Sequence, residues 1–395
     1  MTGQEVERLR DDTPGCAEVI HFNHAGDSLS PRPVLDTAIA HLEREALIGG
    51  YEAEDEAADR IVGVYRSAAR LIHADQSEIA VVENATRAWD MAFYSISFQP
   101  GDRILTSMAE YASNVIAFLQ MAERGISVDV VPNDESGQLS VKALADMVDD
   151  RVRLVAVSHM PTNGGLIQPA AEIGDVVRQT GALYLLDACQ TAGQLPLDVE
   201  KIGCHFLSVT SRKYLRGPRG VGFLYVRDQV SEGLTPPFLD MRAATWTGPD
   251  RYEIQPGARK FENWESNIAG KLGFGTAIDY ALDIGLDAIA NQVQSIAEQL
   301  RDRLRSIPGV VVHDQGRRQG GIVTFTAAGL SAPETKAAFA ARRINVSVST
   351  VSSTRFDMEA RGLDEMIRAS VHYLTTGEEI ETLASALEQA LSHAA

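Results

Sequence analysis

Cysteine is scarce in this chain, and its scarcity excludes two classes of protein at once. The 395 residues hold only Cys16, Cys189 and Cys204. An odd count without metal-like spacing supports neither a disulfide framework nor a zinc site. No apolar run approaches the length of a membrane span, and the opening residues MTGQEVERLRDD are charged where a secretory leader would be apolar. A basic excess is missing too. The net charge is −18, which repels phosphate backbones and anionic lipids and argues against nucleic-acid and membrane partners. There is no internal repeat and no low-complexity segment. What is left is a globular protein with the cytoplasm as its expected location. Apolar residues make up 45% and charged residues 23% of it, the balance of a chain with a real core. The length suggests two or three domains.

Short apolar runs alternate with amphipathic stretches through the first two thirds of the chain. EIAVVE, DRILTS, SVDVVP, VRLVAVSHM, ALYLLDACQ, CHFLSVTS and VGFLYVR read as strands. VLDTAIAHLEREALIGGY, IVGVYRSAARLIHA, TRAWDMAFYSISF, NVIAFLQMAERG, VKALADMV and AAEIGDVVRQTG read as helices. Such alternation predicts an α/β architecture, a mostly parallel seven-stranded sheet with helices on both faces. After about residue 266 a long helical region leads to short strands and a final helix. Residues 31–265 are therefore expected to form a large domain, and residues 1–30 with 266–395 a smaller α+β domain. Ligands of parallel sheets sit beyond the carboxyl ends of the strands. That rule directs attention to Glu83–Thr86, Glu110-Tyr111, Thr162-Asn163, Asp187–Gln190 and Thr210–Lys213.

Lys213 lies in FLSVTSRKYLRGPRGVGFLYV, between one apolar strand and a glycine-rich turn into the next. A lysine amine forms imines readily when nearby cations or desolvation depress its pKa, and Arg212 and Arg216 are placed to act so. Asp187 ends the buried run ALYLLDACQ. A carboxylate there needs a cationic partner or serves as a helix cap. A protonated pyridine nitrogen is one such cation.

Together these segments resemble the class V aminotransferase family, enzymes of pyridoxal phosphate (PLP) fold type I. The resemblance runs from FNHAGDSLSP at 22–31 to IRASVHYLTTGEEI at 367–380. It implies PLP as cofactor, held by Lys213 as a Schiff base. Asp187 is implied to pair with the pyridine nitrogen and Gln190 to approach the phenolic oxygen. Ala85 and Thr86 are implied to open a helix toward the phosphate, with Thr210 and Arg212 completing that cup. Tyr111 falls where many members stack a histidine on the ring. Asn163, in MPTNGG, is implied to lie near the cofactor oxygen or the substrate carboxylate, and Arg368, in IRASVHY, to grip that carboxylate. KFENWESN at 260–267 resembles the segment that reaches a neighbouring subunit, so a homodimer with active sites near its interface is expected.

Desulfurases of this family carry a cysteine on a mobile loop of the C-terminal third, since a thiolate must attack the substrate sulfur. The corresponding region, INVSVSTVSSTRFDMEARG, has none, and Cys189 and Cys204 are read as core residues. LEREALIGGYEAE, EYASN, PTNGG and FENWESN are similar to segments of hercynylcysteine sulfoxide lyase, of isopenicillin N epimerase-like enzymes and of enzymes that process cysteine S-conjugates. The resulting expectation is a C–S lyase acting by β-elimination on an S-substituted cysteine. Decarboxylating deamination, epimerisation and transamination are the alternatives. Arg32, Arg216, Arg242 and Arg355 are the candidates to recognise an anionic substituent, with Arg355 foremost because it lies in the polar loop that replaces the cysteine loop.

Overall fold

The computed structural model describes residues 1–394. After the two-residue β1 (Ile20–His21), seven strands build one large sheet. They are β2 (Ile79–Val82), β3 (Arg103–Ser107), β4 (Ser127–Val131), β5 (Val152–Ser158), β6 (Leu183–Asp187), β7 (Phe206–Thr210) and β8 (Gly222–Val226). Their spatial order is β2-β8-β7-β6-β5-β3-β4. Neighbours from β7 to β4 pair in parallel, whereas β8 is antiparallel to both β7 and β2. The strands read as continuous apolar runs because both faces are covered. Along β6, Tyr184 and Leu186 join Val155, Val157 and Leu207 in one buried cluster, while Leu185 joins Ala156, Phe206 and Leu224 in another. Successive side chains alternate across a strand, so a slip of one residue would exchange these layers.

Helices Arg32–Ile48, Ala58–Ile72, Ala85–Ser95, Ala112–Ala122, Val141–Met147 and Ala170–Val177 form where the apolar periodicity put them. The long helical region after position 266 is divided. Gly285, at φ +91°, ends Ile268–Ile284 and leads into Leu286–Arg305. The first of these packs on Arg32–Ile48 and Ala58–Ile72, and the second on the C-terminal helix Gly377–Ala394. β9 (Ala244–Gly248) and β10 (Arg251–Ile254) form an antiparallel hairpin that no alternation in the sequence announced.

The C-terminal part is a smaller α+β unit. β11 (Val310–Val312) and β12 (Ile322–Ala327) precede the short β13 (Ile344–Asn345), β14 (Ser347–Thr350) and β15 (Glu365–Ser370). Four of these form an antiparallel sheet in the order β11-β12-β15-β14. The N-terminal residues are tied to it: β1 pairs in parallel with β13, and Arg10 forms an ion pair of 3.0 Å with Glu379. Among the described residues no helix is long and apolar enough to cross a membrane.

Candidate active site

A cavity of about 510 Å³ opens at the carboxyl ends of the central strands. Lys213, Asp187, Gln190, Thr210, Arg212 and Tyr111 all line it, as do Ala85 and Thr86. Eight of the residues singled out from the sequence thus meet at one place. Local chemistry explains how they get there. Asn84 caps helix Ala85–Ser95 by accepting the Arg87 N–H at 2.9 Å, which leaves the N–H groups of the first turn open toward the cavity. The backbone after Lys213 turns back through Gly220 at φ +77°. A Cβ on Gly222 would stand 2.3 Å from the Val209 carbonyl, so only glycine lets β8 pass there.

Asp187 is fixed from two sides. Its Oδ1 accepts the Cys189 N–H at 2.9 Å, and its Oδ2 accepts from Asn114 Nδ2 at 3.4 Å. Among the described residues no basic side chain forms an ion pair with it. Burial pushes the Lys213 pKa down, Cys189 and Asp187 act in the opposite sense, and Arg212 and Arg368 reinforce the drop. Arg216 does not take the part expected of it. It is buried, with Nε on the Leu29 carbonyl at 2.8 Å and its two terminal nitrogens on Tyr373 and Thr13, each at 2.5 Å.

The N-terminal loop holds residues of the site in place without lining the cavity itself. The Ala25 carbonyl accepts from Gln190 Nε2 at 3.1 Å, the Gly26 carbonyl accepts from Arg212, and Asn23 Oδ1 accepts from Arg368 at 3.2 Å. Arg368 does not itself line the cavity but donates to Thr162 Oγ1, which does, at 2.7 Å, and burial lowers its pKa to about 10.

Three expectations need correction. Asn163 does not line the cavity: its amide donates to Asp357 at 2.8 Å, and its neighbour Thr162 faces the cavity instead. Arg355 lies in the short helix Arg355–Ala360, exposed and paired with Glu359 one turn on, away from the cavity. Cys189 is no core residue. It is partly exposed and lines the cavity, whereas Cys204 is buried in the main core. Asn114 and Ser158, which also line the cavity, were missed. The position of Asn114, four residues after Glu110 and so one helical turn on, was the available signal.

The residues present fit PLP. Gln190 Oε1 and Arg368 Nε are buried without a partner, and such atoms are costly unless a bound group satisfies them. An amine, a lone carboxylate and an open helix N-terminus share the same cavity, matching the aldehyde, ring nitrogen and phosphate of that cofactor.

The N-terminal loop also carries a pH sensitivity. His24 packs between His21 and His372, with ring centroids 4.7 and 4.8 Å away. Burial holds the pKa values of His24 and His372 well below the usual imidazole value, and that of His159 at about 4. These rings are neutral when folded and take up a proton on unfolding below about pH 6.5. Their contribution is therefore complete above that pH and is lost as the pH falls toward the folded values. Each should cost about 1.4 kcal/mol per pH unit across that window. Denaturant unfolding at pH 8, 7, 6 and 5 should show a flat region followed by a steep decline. Unchanged stability down to pH 5 would contradict the assignment.

Comparison with known proteins agrees with this geometry. A family model described as aminotransferase class-V matches residues 20–383. A protein of Methanothermobacter thermautotrophicus described as a probable cysteine desulfurase is 30% identical, with 98% of this chain and 99% of that protein covered. The apo structure of a cysteine desulfurase from Thermococcus onnurineus NA1 superposes with a TM-score of 0.90 at 25% identity, covering 98% of each chain. The cystine C–S lyase C-DES, solved in complex with its reaction product cysteine persulfide, superposes with a TM-score of 0.86 at 25% identity, covering 95% of this chain and 99% of that one. The likeness found is thus to desulfurase-type enzymes. It replaces the sulfoxide-lyase and epimerase-like relatives suggested by the short segments.

Proposed function

The chain belongs to the class V aminotransferase family and uses pyridoxal phosphate, and from that premise we propose that it is a C–S lyase cleaving S-substituted cysteines by β-elimination. The observation that carries this reading is the missing thiol: residues 344–362 contain no cysteine. The cavity's own thiol, Cys189, has its pKa pushed well above the usual range, by burial first and then by Asp187. A raised pKa disfavours the thiolate, which is the nucleophilic form. Without a thiolate to take the sulfur, the substituent must leave with it. The C-DES likeness supports the same chemistry, since that protein is described as a cystine C–S lyase.

The bound cofactor supplies an electron sink for a carbanion at the substrate Cα. The protein's residues supply the rest. Lys213 would anchor the cofactor and, with its amine freed, would take the proton from the substrate Cα. Burial lowers its pKa, which favours the free amine that this task needs. Asp187 would pair with the ring nitrogen, Gln190 would face the phenolic oxygen and Tyr111 would cover the ring, while Ala85, Thr86, Thr210 and Arg212 would hold the phosphate. Arg368, steered by Thr162 and Asn23, grips the α-carboxylate and so decides which bond at Cα breaks. The electron pair at Cα then forms a Cα–Cβ double bond as the Cβ–S bond breaks, and the sulfur leaves as a thiolate that would recover the proton carried by Lys213 to give the thiol. Hydrolysis of what remains gives pyruvate and ammonia.

Residues 31–265 and residues 1–30 with 266–395 are proposed as the two domains, with helix Ile268–Ile284 packed across the first. A homodimer is proposed as well. It is supported by exposed Leu35, Ile39 and Leu42 on one helix face, and by Trp246 beside Tyr252 on the hairpin.

A second reading, desulfuration of free cysteine, is favoured by the relatives' description. One experiment separates the two. Purified protein with PLP is given cysteine and a panel of S-conjugates, and the products are identified by mass spectrometry. β-Elimination predicts pyruvate, ammonia and a thiol from the conjugates. Alanine from free cysteine, with sulfur left on the protein, would establish the desulfurase reading. Carbon dioxide and an aldehyde would establish decarboxylating deamination.

A further inference from the structure

We propose that Glu110 is a positioning residue: through Asn114 it holds Asp187 in place, and it sets a second fixed negative charge behind it that keeps a proton on the ring nitrogen of the bound cofactor. The inference rests on the pairing of Asp187 with that nitrogen, and not on which substrate bond is broken.

Glu110 follows β3 and is 1% exposed. Among the described residues no basic side chain forms an ion pair with it; hydrogen-bond donors surround it instead. Oε1 accepts from Ser158 Oγ at 2.6 Å, Asn114 Nδ2 at 2.8 Å and the Tyr111 N–H at 3.0 Å. Oε2 accepts from the Ser158 N–H at 2.9 Å and Thr106 Oγ1 at 3.2 Å. Two of these donors are backbone N–H groups and one is an amide, none of which can accept, so the arrangement suits an ionised carboxylate. Glu110 also sits beside the N-terminus of helix Ala112–Ala122, whose dipole favours a negative charge.

The geometry ties this carboxylate to Asp187 by two routes. The Asn114 amide nitrogen is shared, donating to Glu110 Oε1 and to Asp187 Oδ2 at 3.4 Å. Ser158, bonded to Glu110 through both its N–H and its hydroxyl, is the residue opposite Asp187 in the β5–β6 ladder. One side chain thereby joins the ends of β3, β5 and β6. Two carboxylates so close repel one another, and the charge on Asp187 helps burial to disfavour ionisation of Glu110. A cation seated against Asp187 relieves both. The other titratable groups lining the cavity are Lys213, Cys189, Tyr111 and Glu83, the last facing Arg87, and the fixed cations are Arg212, which donates to the Gly26 carbonyl, and Arg219, which pairs with Asp27. Lys213 is committed to the cofactor's aldehyde carbon. The cation left to answer both carboxylates is the protonated ring nitrogen.

The test uses full-length enzyme loaded with PLP carrying nitrogen-15 in the ring, read by NMR as the pH is raised. In Glu110→Gln the midpoint of ring deprotonation should fall by about one pH unit relative to wild type, and Glu110→Asp should recover most of the shift. Asn114→Ala keeps the charge but removes the bridge, so it should shift the midpoint the same way by less. It decides the matter if Glu110→Gln does not fold. A lower thermal stability with an unmoved midpoint in these variants would overturn the proposal. Asp187→Asn is measured alongside. If it lowers the midpoint and the Glu110 and Asn114 variants do not, only the Glu110 proposal fails. If it too leaves the midpoint unmoved, the Asp187 assignment itself is wrong.

Discussion

Replacing Lys213 with alanine is expected to abolish turnover and to remove the visible absorbance of the lysine-linked cofactor, while the fold survives. The expectation follows from where the side chain sits. Lys213 is in the turn after β7, not in a strand or helix, and its amine reaches the cavity floor beside Asp187 and Cys189. Truncation therefore breaks no ladder and removes no part of the hydrophobic clusters. Two functions go with it. The covalent anchor is lost, so PLP should remain only by its phosphate and ring contacts and wash out on dialysis. The proton acceptor at Cα is lost as well, and a positioned general base alone accounts for about 10²–10⁴-fold in rate. Absorbance spectra before and after dialysis, with turnover of a conjugate found active in wild type, check both. An unchanged visible band would mean that another amine carries the cofactor. Addition of a small primary amine should restore part of the proton transfer but not the anchoring.

Most of what positions that lysine was legible in the sequence, for a physical reason. Strands buried on both faces must be apolar throughout, so EIAVVE, ALYLLDACQ and CHFLSVTS stand out between polar turns and fix where the carboxyl ends lie. Strand direction is different. Nothing in VGFLYVR tells that β8 runs against its neighbours, because burial on both faces leaves the same apolar run in either direction. Side-chain aim was the other blind spot. Thr162 and Asn163 are adjacent in sequence, yet one faces the cavity and the other is spent on Asp357. Arg212 and Arg216 are one helical turn apart in number. In the turn they occupy, with Arg216 at φ +62°, they point to different partners. Cys189 looked apolar because it follows a buried strand, but the strand ends at Asp187 and the chain then runs along the cavity wall. Arg355 was chosen for its loop, and a local pair with Glu359 had already claimed it. Contacts between distant segments, such as Asn23 on Arg368, leave no local pattern at all.

Asp187→Asn should be nearly as damaging as loss of the lysine, by a different route. Asparagine keeps the volume and can still accept the Cys189 N–H, so the end of β6 should hold its shape. What disappears is the charge opposite the ring nitrogen. Leaving one partner of a buried, hydrogen-bonded charge pair unmatched costs about 2–5 kcal/mol. If that cost falls on the transition state, the rate drops by roughly 30- to 5,000-fold. The anchoring lysine is untouched, so the visible band should persist, which separates this variant from Lys213→Ala. The substrate KM should change little, since the proposed grip on the carboxylate is Arg368, oriented by Thr162 and Asn23 and separate from Asp187. Steady-state kinetics on one conjugate with full PLP occupancy reads the split between kcat and KM. A variant that keeps kcat within about threefold of wild type would show that the ring nitrogen needs no anionic partner here, and the electron-sink role of Asp187 would have to be withdrawn. A raised KM with unchanged kcat would instead place Asp187 among the groups that bind the substrate. The Asn114 contact to Oδ2 makes a large fall in kcat with little change in KM the expected result, because it holds that carboxylate edge in place at the cavity.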